Sequence, residues 1–236
     1  MKMIFILYKK EVRDYFNGTT AYIFLFIFLV LTNWLFFQNF FLFNQAEMRG
    51  YFSLLPWLFI LLAPSLTMRL WAEERKSRTI ELLLTLPVRE IEVVLAKYLS
   101  GLTILATALI LSLSLPLTIA SLGDLDWGPV IGGYFGALLL GGVYLSVGLF
   151  ASALTKNSLE SFLVAAGLCF GLLIIGEDIV LGRLPSLFQF FLYPFGAGFH
   201  FNNIAKGIID LRDLIYYFGV IILFLGLNLK VLDIKK

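Results

Sequence analysis

Between Tyr22 and Phe43 the chain carries no charged side chain. Tyr98 to Leu122, Val130 to Leu154 and Leu214 to Leu229 are equally free of charge. Phe52 to Trp71 and Phe162 to Leu181 hold charges only towards their C-terminal ends. A helix needs about 20 apolar residues to cross a bilayer, and backbone polar groups in hydrocarbon must be bonded within their own segment or in a closed barrel. Continuous apolar runs, without the two-residue alternation of barrel strands, exclude the barrel. These stretches predict six spanning helices. The composition agrees: 60% of the 236 residues are hydrophobic and 14% charged, against about half and a quarter in soluble domains. A net charge of +2 suggests no nucleic-acid partner.

Basic residues set the orientation. Lys2, Lys9, Lys10 and Arg13 precede the first span. Arg69, Arg75, Lys76, Arg78, Arg89 and Lys97 surround the segment after the second. Lys156 follows the fourth, and Lys230, Lys235 and Lys236 end the chain. These fourteen face the four on the other side, Arg49, Arg183, Lys206 and Arg212. Both termini are therefore predicted to be cytoplasmic. No long linker, low-complexity tract or internal repeat divides the chain, so residues 1–236 are expected to form a single transmembrane domain. Similar halves, as in inverted-repeat secondary transporters, are absent. No base or acid falls at the predicted middle of a span, where a proton-relay transporter would need one. The single cysteine, Cys169, has no intrachain partner and reads as a small core residue.

Three segments outside the spans could act. Lys2 to Phe16 repeats Phe5, Tyr8, Val12 and Phe16 at helical spacing, with Lys9, Lys10, Arg13 and Asp14 opposite. That is an amphipathic helix in the membrane interface, which either anchors the first span or also braces a partner. Glu73, Glu74, Arg75, Lys76 and Arg78 then crowd seven residues. Glu74 and Arg78 form a favourable i,i+4 pair, so the second span is predicted to continue as helix through Glu73 to Ser77. Ile80, Leu83 and Leu84 follow as an apolar stripe until Pro87, a pattern that either docks in a partner's groove or is a solvated charge run. The third segment, Pro185 to Leu211, is apolar but broken by proline and glycine. It is too interrupted to span, and it reads as a pair of short re-entrant helices on the outer side. Glu177, Asp178 and Arg183 precede it, either as the interfacial end of a helix or as a polar ring at an outer mouth. His200, the only histidine, is too few ligands for a metal site and reads as structural. Gly132–Gly136 and Gly167–Gly171 both match G-x-x-x-G and predict close helix packing within the chain.

The run EERKSRTIELLLTLPV, with VLAKYL downstream, resembles the signature of the ABC type 2 permease family, most closely the branch of gliding-motility and nitrous-oxide-accessory permeases. KKEVRDYF near the N-terminus, LLPWLFILLAPSLTMR in the second span and GFHFNNIAKGIIDLRDLIYYF near the end extend the likeness over nearly the whole chain. Arg78 departs from it, standing where the family has glycine before Thr79-x-Glu81. The resemblance implies a permease subunit in a bacterial or archaeal inner membrane, driving export or mechanical work. Its segment 72–90 would contain a coupling helix that docks on a separate ABC ATPase, with Glu73, Glu74, Arg75, Arg78, Thr79, Glu81 and Leu83 as contact residues. It further implies outer re-entrant helices over 182–212 and pairing with a second, identical or related, permease chain. This chain has no G-x-x-x-x-G-K-[ST] phosphate loop. No cofactor is expected in it, and ATP and Mg would belong to the partner. Two alternatives remain. One is a membrane sensor or scaffold that transports nothing. The other is a CAAX-type membrane protease, suggested by Glu73-Glu74-x-x-x-Arg78 but lacking that family's histidines.

Overall fold

The structure, a computed structural model, describes residues 2–43, 47–77, 88–176, 182 and 193–234. Among them there are helices and no strands. In order they are α1 (Lys2–Asn17), α2 (Thr20–Phe43), α3 (Arg49–Thr67), α4 (Ala72–Lys76), α5 (Glu90–Leu111), α6 (Ser114–Leu122), α7 (Trp127–Leu154), α8 (Ser158–Ile174), a 3-10 turn (Tyr193–Phe195), α9 (Ala197–Ala205) and α10 (Leu211–Ile234). The protein is an all-α membrane protein. Five helical stretches are long and apolar enough to cross a membrane: Thr20–Gln38, Arg49–Lys76, Glu90–Leu122, Trp127–Leu154 and Leu211–Asp233. Ser158–Ile174 is a shorter apolar helix, and residues 177–181 of the predicted fifth span lie outside the described residues.

The bundle is built around α7, which packs against α3, α5, α8, α9 and α10. Its small residues let neighbours come close. A Cβ on Gly132 would stand 2.3 Å from the Ile204 carbonyl of α9, and one on Gly148 would stand 2.1 Å from the Thr67 hydroxyl of α3. The first G-x-x-x-G pair is thus consumed by packing inside the chain. The second is not: nothing lies within 4 Å of a Cβ on Gly167 or Gly171, so α8 turns that face outward.

Two predicted spans are interrupted. The third begins earlier than expected, at Glu90, and breaks at Ser112 and Leu113. Pro116 supplies the cause, because it has no N–H to offer the Ser112 carbonyl and its ring crowds that carbonyl. The Ser112 carbonyl instead accepts from the Leu115 N–H in a tighter turn at 3.0 Å and from the Tyr134 hydroxyl of α7 at 3.0 Å. The second span does not continue smoothly into the charged segment either. It ends at Thr67, turns through Met68–Trp71 and resumes as α4, which corrects the expectation of one continuous helix.

Beyond α8, the predicted re-entrant segment is described from Tyr193 onward. A 3-10 turn leads into the nine-residue α9, which packs on α7 and α10. Gly207 closes α9 with φ of 84°, the left-handed region open to glycine.

Candidate functional site

The charged turn after α3 is a junction of four helices. Its break is served by one hydroxyl. The N–H groups of Trp71 and Ala72 donate to Ser152 Oγ of α7 at 3.1 and 3.3 Å, and that hydroxyl donates to the Met68 carbonyl at 3.1 Å. A serine offers two lone pairs and one proton, so all its capacity is used here.

Within α4 the two adjacent glutamates diverge, as neighbours about 100° apart on a helix must. Glu73 is 59% exposed and pairs with Arg69 at 3.4 Å on the water side. Glu74, 19% exposed, turns inward and meets Lys97 Nζ of α5 at 2.7 Å. Lys97 is only 2% exposed and bonds Glu11 of α1 at 3.2 Å as well. Its ammonium also lies 5.1 Å from the ring centre of the buried Trp71, within cation–π range. A charge so far from water persists only when partnered, and here partners come from three elements. Arg75 Nη1 donates to the Thr155 carbonyl at 3.3 Å, placing a cation at the C-terminus of α7, where the helix dipole favours it.

Helix α1 runs antiparallel to α5, since Glu11 meets Lys97 while Tyr8 meets Thr103 at 2.8 Å. Tyr15 anchors its other end by donating to the Leu66 carbonyl of α3 at 2.7 Å. Burial first, then the charge of Glu11, push this phenol well above its usual range, so it stays a donor.

Of the residues predicted to contact a partner, Glu73, Glu74 and Arg75 are brought together in α4. Only Glu73 faces outward for contact. Arg78, Thr79, Glu81 and Leu83 lie outside the described residues, as do Glu177, Asp178 and Arg183. Lys97, Glu11, Trp71 and Ser152 complete the junction without being among the predicted contact residues. A signal existed for two of them. Lys97 is the only base between Arg89 and Lys156, and Glu11 falls between Tyr8 and Tyr15 on the face of α1 that packs inward.

At the other end of α7, His200 is buried between α9 and α10. Its Nε2 lies 2.9 Å from the Pro194 carbonyl, which can only accept, so that nitrogen carries a proton. Its Nδ1 lies 2.5 Å from Asp213 Oδ1, and Tyr216 stacks on the ring at 4.1 Å. Both ring nitrogens are thus engaged by protein groups. Gly132 touches α9 and Ser152 touches the α4 turn. Phe201, next to His200, packs on Gly136, and the sixteen residues of α7 from Gly136 to Ser152 put His200 about 24 Å from the α4 turn, at ~1.5 Å per residue. A protease centre made from Glu73, Glu74 and His200 is therefore geometrically excluded.

The fold and the junction define a multi-pass helical membrane protein whose charged turn is locked to its central helix. The family model of the ABC-2 family transporter protein matches residues 5–194, and the chain belongs to that family. A comparison with curated proteins found no match. The chain is accordingly a membrane component of an ABC transporter, not itself a catalyst. Residues 195–236, including His200 and Asp213, lie beyond the matched segment.

Proposed function

We propose that this chain is the permease subunit of an ATP-driven, exporter-type complex. In this reading a separate ABC ATPase hydrolyses ATP with Mg, and the chain converts that work into substrate export or mechanical displacement. Both termini and the α4 turn face the cytoplasm, as the fourteen-to-four distribution of bases favours. Two permease chains, identical or related, face each other in the inner membrane. The ATPase grips the segment from Glu73 through Arg75, Arg78, Thr79, Glu81 and Leu83.

One observation supports the reading most: α4 is fastened to three other helices at once. Glu74 joins it to Lys97 of α5 and through that lysine to Glu11 of α1, while Arg75 and the Trp71–Ala72 amides join it to the end of α7. A displacement applied just after α4 cannot be absorbed locally, because the buried ion pairs resist separation.

The test is co-purification of the chain with the ATPase encoded beside it, comparing the parent with the Glu81→Ala/Leu83→Ala double variant. Loss of the complex with retained folding is expected. Undiminished complex formation would remove the docking segment from the model of action. A sensor or scaffold that transports nothing would bind no ATPase in either form.

A further inference from the structure

The end of α7 opposite the charged turn holds a buried pair that the permease reading leaves unused. His200 of α9 is 5% exposed and Asp213 of α10 is 2% exposed. Nδ1 of the ring lies 2.5 Å from Asp213 Oδ1, and Nε2 lies 2.9 Å from the Pro194 carbonyl. The second carboxylate oxygen, Oδ2, is buried and meets no hydrogen-bond partner among the described residues.

These contacts fix a proton count. A neutral imidazole has one donor and one acceptor, yet both nitrogens here face acceptors. With Nε2 donating to Pro194, a neutral ring would turn a bare Nδ1 towards the carboxylate. With the proton moved to Nδ1, the bare Nε2 would face the Pro194 carbonyl instead. Both bonds are made at once only when the pair holds one more proton, and imidazole, a stronger base than a carboxylate, carries it. Without that proton, either the carboxylate or the carbonyl loses its partner, and a buried acceptor left unpaired is costly.

The pair joins three pieces of the chain, since Pro194 is in the 3-10 turn, His200 in α9 and Asp213 in α10. Two further ties do not use the shared proton: Tyr216 and Tyr217 donate to the Phe195 and Ala197 carbonyls at 2.7 and 3.0 Å. Besides Asp213, those two phenols are the titratable groups beside the ring. In the 3-10 turn, Tyr193 packs on Phe199. Helix α7 carries Tyr134 and Tyr144 but no charged residue. Helix α8 has Cys169 and, in its first turn, Glu160, at the end away from the contact between Gly176 and Gly196. Helix α3 offers Tyr51 and the exposed Arg49, and Lys206, Asp210 and Arg212 between α9 and α10 are exposed as well.

We infer that His200 and Asp213 form a proton-binding site whose proton latches the 3-10 turn and α9 to α10. The latch is shut while the proton is bound and loosens as the pH rises and the proton leaves. The inference does not depend on the ATPase reading.

His200 is the only histidine, so 15N-histidine labelling of the full chain in nanodiscs, purified through a histidine-free tag, observes this ring alone. The nitrogen shifts are followed from about pH 5 to about pH 9, which brackets the range in which imidazole changes charge. Two proton-bearing nitrogens are expected at the acid end and one bare nitrogen at the alkaline end. Hydrogen exchange, corrected for the intrinsic effect of pH, should show protection of α9 falling roughly ten- to a hundredfold as the ring loses its charge, the worth of a hydrogen bond to a charged group. Asp213→Asn supplies an amide able to donate to a bare Nδ1, so α9 should stay protected across the range. Lys206→Gln, in the exposed link, should keep the parent's pH profile. A ring that holds one charge state throughout, or one that titrates while α9 protection stays level, would overturn the inference. So would an Asp213→Asn chain whose α9 loosens with pH as the parent's does.

Discussion

Replacing Lys97 with methionine tests whether the junction is held by charge or only filled by bulk. Methionine keeps the length of the side chain and removes the ammonium. Glu11 and Glu74, bonded to it at 3.2 and 2.7 Å, would then lose the ammonium they share. Breaking a buried pair by removing one partner costs about 3–5 kcal/mol. Their side chains retain 10% and 19% exposure, so some water reaches them and the lower end applies. About 3 kcal/mol is roughly a hundredfold in the folding equilibrium. Intrinsic fluorescence during unfolding by SDS in mixed micelles reads this directly. The control is Lys97→Met with Glu11→Gln and Glu74→Gln, which removes all three charges at nearly constant volume. It should recover most of the loss, because replacing a whole buried ion cluster is often neutral or better. A single variant as stable as the parent, or a triple variant as unstable as the single, would refute the charge argument.

Two further expectations follow from the packing of α7. Ser152→Ala strips the Trp71 and Ala72 amides and the Met68 carbonyl of their shared partner. It should cost about 1–3 kcal/mol and raise hydrogen exchange at residues 71 and 72 before the rest of α3. Gly132→Ala and Gly167→Ala make a matched pair on the two G-x-x-x-G motifs. The first pushes a methyl against the backbone carbonyl of Ile204 and should lower the melting temperature, by overpacking worth about 1–3 kcal/mol. The second meets nothing within the chain and should gain up to about 1 kcal/mol from helix propensity. Similar losses in both would contradict the placement of α8.

The helices were legible because the bilayer imposes a length and forbids charge over it, and both are properties of contiguous residues. Helix α1, predicted over Lys2 to Phe16, is found over Lys2–Asn17. The two breaks were harder to read. Pro116 gave local warning of one, but the turn at Met68–Trp71 depends on a serine some eighty positions away, which no window along the chain can see. Lys97 misled for a related reason. Counted by composition it is one more loop base beside the membrane. In the structure it sits in the third turn of α5, supplied with carboxylates from residues 86 positions before it and 23 before it. The second glycine pair looked the same in sequence as the first. What separates them is whether a neighbouring backbone happens to pass, which is a property of the assembled bundle.

The stitched turn between α3 and α4 has a mechanical consequence. The amides that would have tied α4 back to its own predecessor are surrendered to α7, and Arg75 grips the same helix one turn further on. The short charged helix is therefore fastened to the centre of the molecule as well as to the span it grows from, to which the Glu73 amide still bonds through the Arg69 carbonyl. A load on this short helix is thus divided between two long helices at their ends, and neither can be shifted there without straining the other.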